Sequence, residues 1–148
     1  MEDPDSKPPF YSAYLPYLLS QVAHQLGVTH HRELKKRQIR ESEWRVLTML
    51  SGTGPKSVNE LAMGTLIPQS TLSRRLARME EKGWLERNIA PNDGRSFLFC
   101  LSETGGRLAD DLNQLAMKAE AEDTVNMSEQ ELRQLRELLK KLVPSSRK

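Results

Sequence analysis

Gln69, Ser70, Thr71, Ser73, Arg74, Arg75 and Arg78 all fall in the stretch PQSTLSRRLARMEEKGW, Pro68–Trp84. Residues of these types suit hydrogen bonding to nucleic acid. Arginine pairs bidentately with guanine O6 and N7, and Ser, Thr and Gln can meet bases or phosphates. The same stretch carries Leu72, Leu76 and Met79 at spacing i, i+4, i+7. At about 100° per residue, Ser70 and Arg74 lie opposite that apolar stripe, Ser73 and Arg78 flank them, and Arg75 sits near its edge. The spacing predicts a helix with one side that packs and one that offers polar forks. Pro68 suits a first helical turn, and Gly83 stops the helix just past its last turn. For any single arginine, the plain alternative is a solvated helix face.

Other elements must hold such a helix in place. ESEWRVLTML (Glu41–Leu50) predicts a short helix with Trp44, Leu47 and Leu50 inward, stopped by SGTGP. In SVNELAMGTL, Ser57 and Glu60 form an S-x-x-E capping box that opens the next helix, with Gly64 expected to end it. Beyond Gly83 the apolar period changes to two. WLERNI (Trp84–Ile89) and RSFLFCL (Arg95–Leu101) read as strands around APNDG, which is strong turn chemistry. Ser102 caps a long helix bearing Leu108, Leu112, Leu115 and Ala119. Ser128 and Glu131 form a second capping box before Leu132, Leu135, Leu138, Leu139 and Leu142. Upstream, Leu15, Leu18, Leu19, Val22, Leu26 and Leu34 describe a first helix from Pro16 to about Arg37, weakened by Gly27. Residues 1–12 read as a loose arm.

Two short helices joined through a glycine-bearing turn, the second polar and basic, describe a helix-turn-helix. The hairpin after it makes the motif a winged one. The chain of 148 residues is one domain's worth, or a small module with an assembly element. Its net charge of +2 hides a segregation: residues 32–45 sum to +3, 68–95 to +2, 103–131 to −6 and 132–148 to +5. That pattern suggests one partner-facing basic side, although solvated helix faces also produce it. The single cysteine, Cys100, excludes an internal disulfide framework or a cysteine zinc cluster. The acidic, proline-rich start reverses the order of a signal peptide, and no apolar run approaches the ~18 residues of a membrane span. A soluble, cytoplasmic protein is expected.

ESEWRVLTML, SVNELAMGTLIPQSTLSRRLARMEEKGWLER, PNDGRS and LSETGGRL, taken in order, resemble blocks of the MarR family of bacterial transcription regulators, over about Pro16–Val143. The resemblance implies a mainly α fold with a small β-hairpin wing, a winged helix-turn-helix plus a helical dimerisation domain. It implies an arm at 1–12, dimerisation segments at 13–38 and 102–144, and a DNA-binding domain at 39–101. Pro68–Lys82 becomes the recognition helix, with Gln69, Ser70, Thr71, Ser73, Arg74 and Arg78 as DNA contacts and Arg75 at their margin. Asp93 and Arg95 match the wing's aspartate and arginine, the arginine entering a groove and the aspartate bracing the turn. Gly94 stands where many relatives have another arginine, and Arg40 where they often have a threonine cap. Tyr14, Tyr17 and Trp44 are candidates to line the family's ligand crevice, or are core aromatics. The implied partners are double-stranded DNA, a second copy of the chain and a small-molecule effector, in a repressor that acts on a palindrome.

Neither a metal nor a cofactor is expected, and no nucleophile elbow, phosphate loop or metal-ligand pair points to catalysis. His24, His30 and His31 lack the spacing of a metal site, and His30 reads as a core or dimer-seam residue. Cys100 alternates with Phe99 and Leu101 and is expected to be buried in the hairpin rather than to sense oxidants. The alternative for the whole chain is a helical protein-interaction module whose leucine-rich ends bind another protein, the basic helix being incidental.

Overall fold

A computed structural model describes residues 9–90 and 93–143, with the side chains of 90–95 outside the description. The order is α1 (Phe10–Ala13), α2 (Leu15–Lys36), α3 (Glu41–Thr53), α4 (Val58–Thr65), α5 (Gln69–Glu81), β1 (Leu85–Ala90), β2 (Asp93–Leu101), α6 (Glu103–Asp123) and α7 (Glu129–Leu142). The stretch read as a loose arm thus ends in the short helix α1. The two strands form an antiparallel hairpin that pairs Leu85 with Leu101 and Ile89 with Phe97, with a register shift at Ile89/Ala90. β2 begins at Asp93, two residues earlier than the turn chemistry suggested.

The core sits where α3, α4 and α5 meet the hairpin and α6. Val46, Leu47, Leu61, Leu72, Leu76, Met79 and Leu112 are fully buried there. Both S-x-x-E boxes form: Ser57 Oγ accepts from Glu60 N at 3.3 Å, and Ser128 Oγ accepts from Glu131 N at 3.3 Å. At α3 the cap is only half built. Arg40 N donates to Glu43 Oε2 at 2.8 Å, but an arginine side chain has no acceptor to return the bond.

The end of α4 departs from the sequence reading. Gly64 remains helical, and the chain turns instead at Leu66, which holds φ 58 and ψ 31. A left-handed L-residue is strained by about 1–2 kcal/mol, a cost the chain bears at Leu66 although a glycine is available two residues upstream. Gly83, by contrast, takes φ 72 at the end of α5 as its type allows.

The join between hairpin and α6 is tight. Ser102 Oγ donates to Gly83 O at 2.6 Å and accepts from Gly105 N at 2.9 Å, while Ser102 N donates to Trp84 O at 3.1 Å. A Cβ on Gly105 would stand 1.9 Å from Trp84 O, so only glycine fits. Lys56 and Phe99 exchange backbone bonds of 3.0 and 2.8 Å, pinning the α3–α4 loop to β2.

Cys100 is not enclosed as expected. Leu85 and Phe99 on the inner face are buried, but Cys100 is on the opposite face and only half-buried. Asn88 Nδ2 donates to its sulfur at 3.2 Å. Period-two alternation sent it outward, because Phe99 took the core position.

Candidate nucleic-acid interface

Helix α5 is amphipathic as its spacing requires. Leu72, Leu76 and Met79 are buried, Gln69, Ser70, Thr71, Ser73, Arg74 and Arg78 are exposed, and Arg75 is half-buried. Ser73 Oγ donates to Gln69 O at 2.9 Å, a back-bond along the helix that leaves its oxygen free to accept. Ser70, Thr71, Arg74, Arg75 and Arg78 line one cleft of about 480 Å³. Gln69 and Ser73 belong to the exposed surface beside it.

The cleft has a second wall that the sequence reading did not assign to the site. Gln38, Arg40 and Glu43 come from the α2–α3 junction, and Lys82 from the end of α5. Lys82 Nζ donates to the buried Glu43 carboxylate at 2.9 Å and lies 4.2 Å from the Trp84 ring centroid. One cation thereby ties the start of α3 to the end of α5 and the base of the hairpin. Arg40 was legible as a departure from the usual cap, but its place opposite α5 is a tertiary fact.

Unpaired arginines gather on this face, and outside it only Arg32 among the described residues lacks a carboxylate partner. Arg37, Arg45, Arg87, Arg107, Arg133 and Arg136 each have a carboxylate partner. Among the described residues Arg40, Arg74, Arg75 and Arg78 have none. Four unpaired guanidiniums around one open cleft make an anion-seeking surface. Asp93 and Arg95 are in β2, and their side chains lie outside the described residues.

A second cavity, of about 370 Å³, opens where α2, α3 and α6 meet, with Trp44, His30, His31, Glu41, Met117 and Glu120 among its lining. Trp44, one of the three aromatics considered for a ligand crevice, lines this cavity. Tyr14 and Tyr17 are exposed near the start of α2, away from this lining, Tyr14 stacked on Phe10 and Tyr17 edge-on to Tyr11. At 1.5 Å rise per residue, Tyr17 is about 20 Å along the helix from His30.

His30 is buried, its ring edge-on to Trp44 with centroids 4.2 Å apart, and its Nε2 has no hydrogen-bond partner. Burial, then the neighbouring His31, lower its pKa below the ordinary imidazole value. His31 donates from Nδ1 to Gly27 O at 2.5 Å and from Nε2 to Glu41, and these bonds raise its pKa. Burial pulls the Glu41 carboxyl upward, but the bonds from His31 and Arg45 outweigh it and hold Glu41 below its ordinary value. Among the described residues no group of three or more His, Cys, Asp or Glu is placed to hold a metal, and no helix is long and apolar enough to cross a membrane.

Comparison with known proteins finds relatives of this chain and of its fold. A model of the MarR family matches residues 37–96. The HTH-type regulator YxaD of Bacillus subtilis is 31% identical over 110 residues, covering 74% of this chain and 77% of that protein. The repressor IacR of Pseudomonas putida is 30% identical over 89 residues, 60% of this chain, which spans only 53% of IacR. Among solved structures, a mutant MarR from E. coli complexed with operator DNA superposes with TM-score 0.76 at 26% identity, covering 93% of this chain and 100% of that one.

Proposed function

The chain belongs to the MarR family of DNA-binding transcription regulators, and from that premise we propose that it is a homodimeric repressor of a palindromic operator, released by a small molecule. One observation carries the DNA-reading face: Arg40, Arg74, Arg75 and Arg78 surround one cleft without a carboxylate partner among the described residues. In this reading α5 enters the major groove. Gln69, Ser70, Thr71, Ser73, Arg74 and Arg78 meet bases or phosphates, and Arg75 supports them from the cleft wall. Asp93 and Arg95 act from the wing. That a MarR relative of the same fold is complexed with operator DNA supports duplex DNA as the partner.

Segments 13–38 and 102–144 form the dimerisation domain in this proposal, and 39–101 the DNA-binding domain. Support comes from apolar residues left wet in one copy: Phe10, Leu15, Leu18 and Val22 at one end, Leu138, Leu142 and Val143 at the other. α7 buries none of its residues within its own chain, so its leucine face is available to a second copy.

The effector site is the cavity at the α2–α3–α6 junction. It touches both proposed domains, and His30 Nε2 offers an unused hydrogen-bonding atom. A ligand wedged there changes the angle between them. Two recognition helices must meet half-sites about 34 Å apart, so a changed angle weakens both contacts together.

Selecting bound duplexes from a random pool tests the reading. The expected product is an inverted repeat whose affinity falls steeply with salt. Retention without sequence enrichment would refute it in favour of a protein-interaction module.

A further inference from the structure

Met63 and Leu66 are exposed apolar residues beside the start of the DNA-reading helix. Leu66 is 82% exposed and Met63 71%. Met63 is in α4, and Leu66 is the left-handed residue that ends it. Ile67 then turns inward, Pro68 caps α5, and the exposed Gln69, Ser70 and Thr71 follow. The pair therefore borders the surface already assigned to DNA.

Leu66 is doubly unfavourable in the chain by itself. Its backbone angle is one that glycine or asparagine takes more readily, and its side chain is in water. Backbone outliers held against their cost cluster where a segment works on a ligand. Gln38, the other non-glycine residue with positive φ among those described, lines the basic cleft. A contact outside the chain would offset both penalties. In the major groove an A·T pair presents one apolar group, the thymine C5-methyl, and a branched aliphatic side chain at the head of a reading helix matches it.

We propose that Leu66, flanked by Met63, reads a thymine methyl at one position of each half-site. This rests on α5 being the recognition helix.

Selection from a random pool is run with wild type and with Leu66→Gly, followed by titration of the enriched operator with thymine or uracil at the position concerned. Wild type should enrich thymine in one column per half-site, and Leu66→Gly should lose that column. Wild type should bind the uracil operator roughly fourfold more weakly, the worth of one buried methyl, whereas Leu66→Gly should not distinguish the two. Leu66→Asn should melt no lower than wild type while showing the same loss of preference. An unchanged motif in Leu66→Gly, equal binding of thymine and uracil by wild type, or lower melting of both variants would each overturn the inference. Failure of wild type to enrich any sequence would refute the recognition-helix reading as well. A motif kept by Leu66→Gly would remove only the role given to Leu66.

Discussion

Residue by residue, the proposed function gives the guanidiniums of the cleft different tasks. Arg74 projects from the exposed side of α5, so Arg74→Ala should cost about 1–3 kcal/mol at one base step and relax preference there. Selection with the variant reads that directly, and an unchanged motif would remove Arg74 from the reading face. Arg40 faces the same cleft from the start of α3. Arg40→Ala should weaken cognate and unrelated DNA alike and reduce the salt slope by about one, which affinity measured across a salt series decides. The two histidines make a separate prediction. His31 has a raised pKa, so the stability from its bonds is complete below about pH 6.5 and is lost as pH rises through the folded value. His30 has a lowered pKa, so its burial destabilises the fold as pH falls from about 6.5 through its folded value. Relative to wild type, melting temperature between about pH 5.5 and 7.5 should climb more steeply with pH in His31→Asn and less steeply in His30→Phe. Parallel curves for all three would show that neither ring is coupled to folding.

At the scale of elements, most boundaries were legible because a local residue type enforces them. Pro68 and Gly83 bracket α5, and serine caps open α4, α6 and α7. What stayed illegible depends on partners distant in sequence. Leu66 rather than Gly64 carries the turn, the loop at Lys56 pairs with β2, and Cys100 faces outward because Phe99 fills the core. The candidate site divided the same way. The α5 face followed from periodicity alone, whereas Gln38, Arg40, Glu43 and Lys82 joined it only through packing. Tyr14 and Tyr17 are apart from the cavity that Trp44 lines, because helical spacing cannot tell which end of α2 meets α6. The LSETG stretch shows what packing adds to a motif: its glycine is pressed against the Trp84 carbonyl. Gly105→Ala should cost about 3 kcal/mol through overpacking and lower the melting temperature by roughly 10 °C. A variant that melts with wild type would mean the joint gives way cheaply.

For the molecule as a whole, assembly is the first thing to measure. Aromatic and aliphatic side chains of α1, α2 and α7 are exposed in one copy, and the proposed dimer would cover them. Light scattering at low micromolar concentration should give twice the 16.9 kDa chain mass, and a monomer there would refute the proposed architecture. The joint at Ser102 and Gly105 matters again at this scale. Hydrogen bonds and a carbonyl close against a glycine Cα tie the base of the hairpin to the start of α6. The 21-residue helix α6, about 30 Å long, and the wing thus form one lever, its far end among the segments proposed for dimerisation. A tilt of only about 6° over that length swings the wing by about 3 Å, a full hydrogen-bond distance.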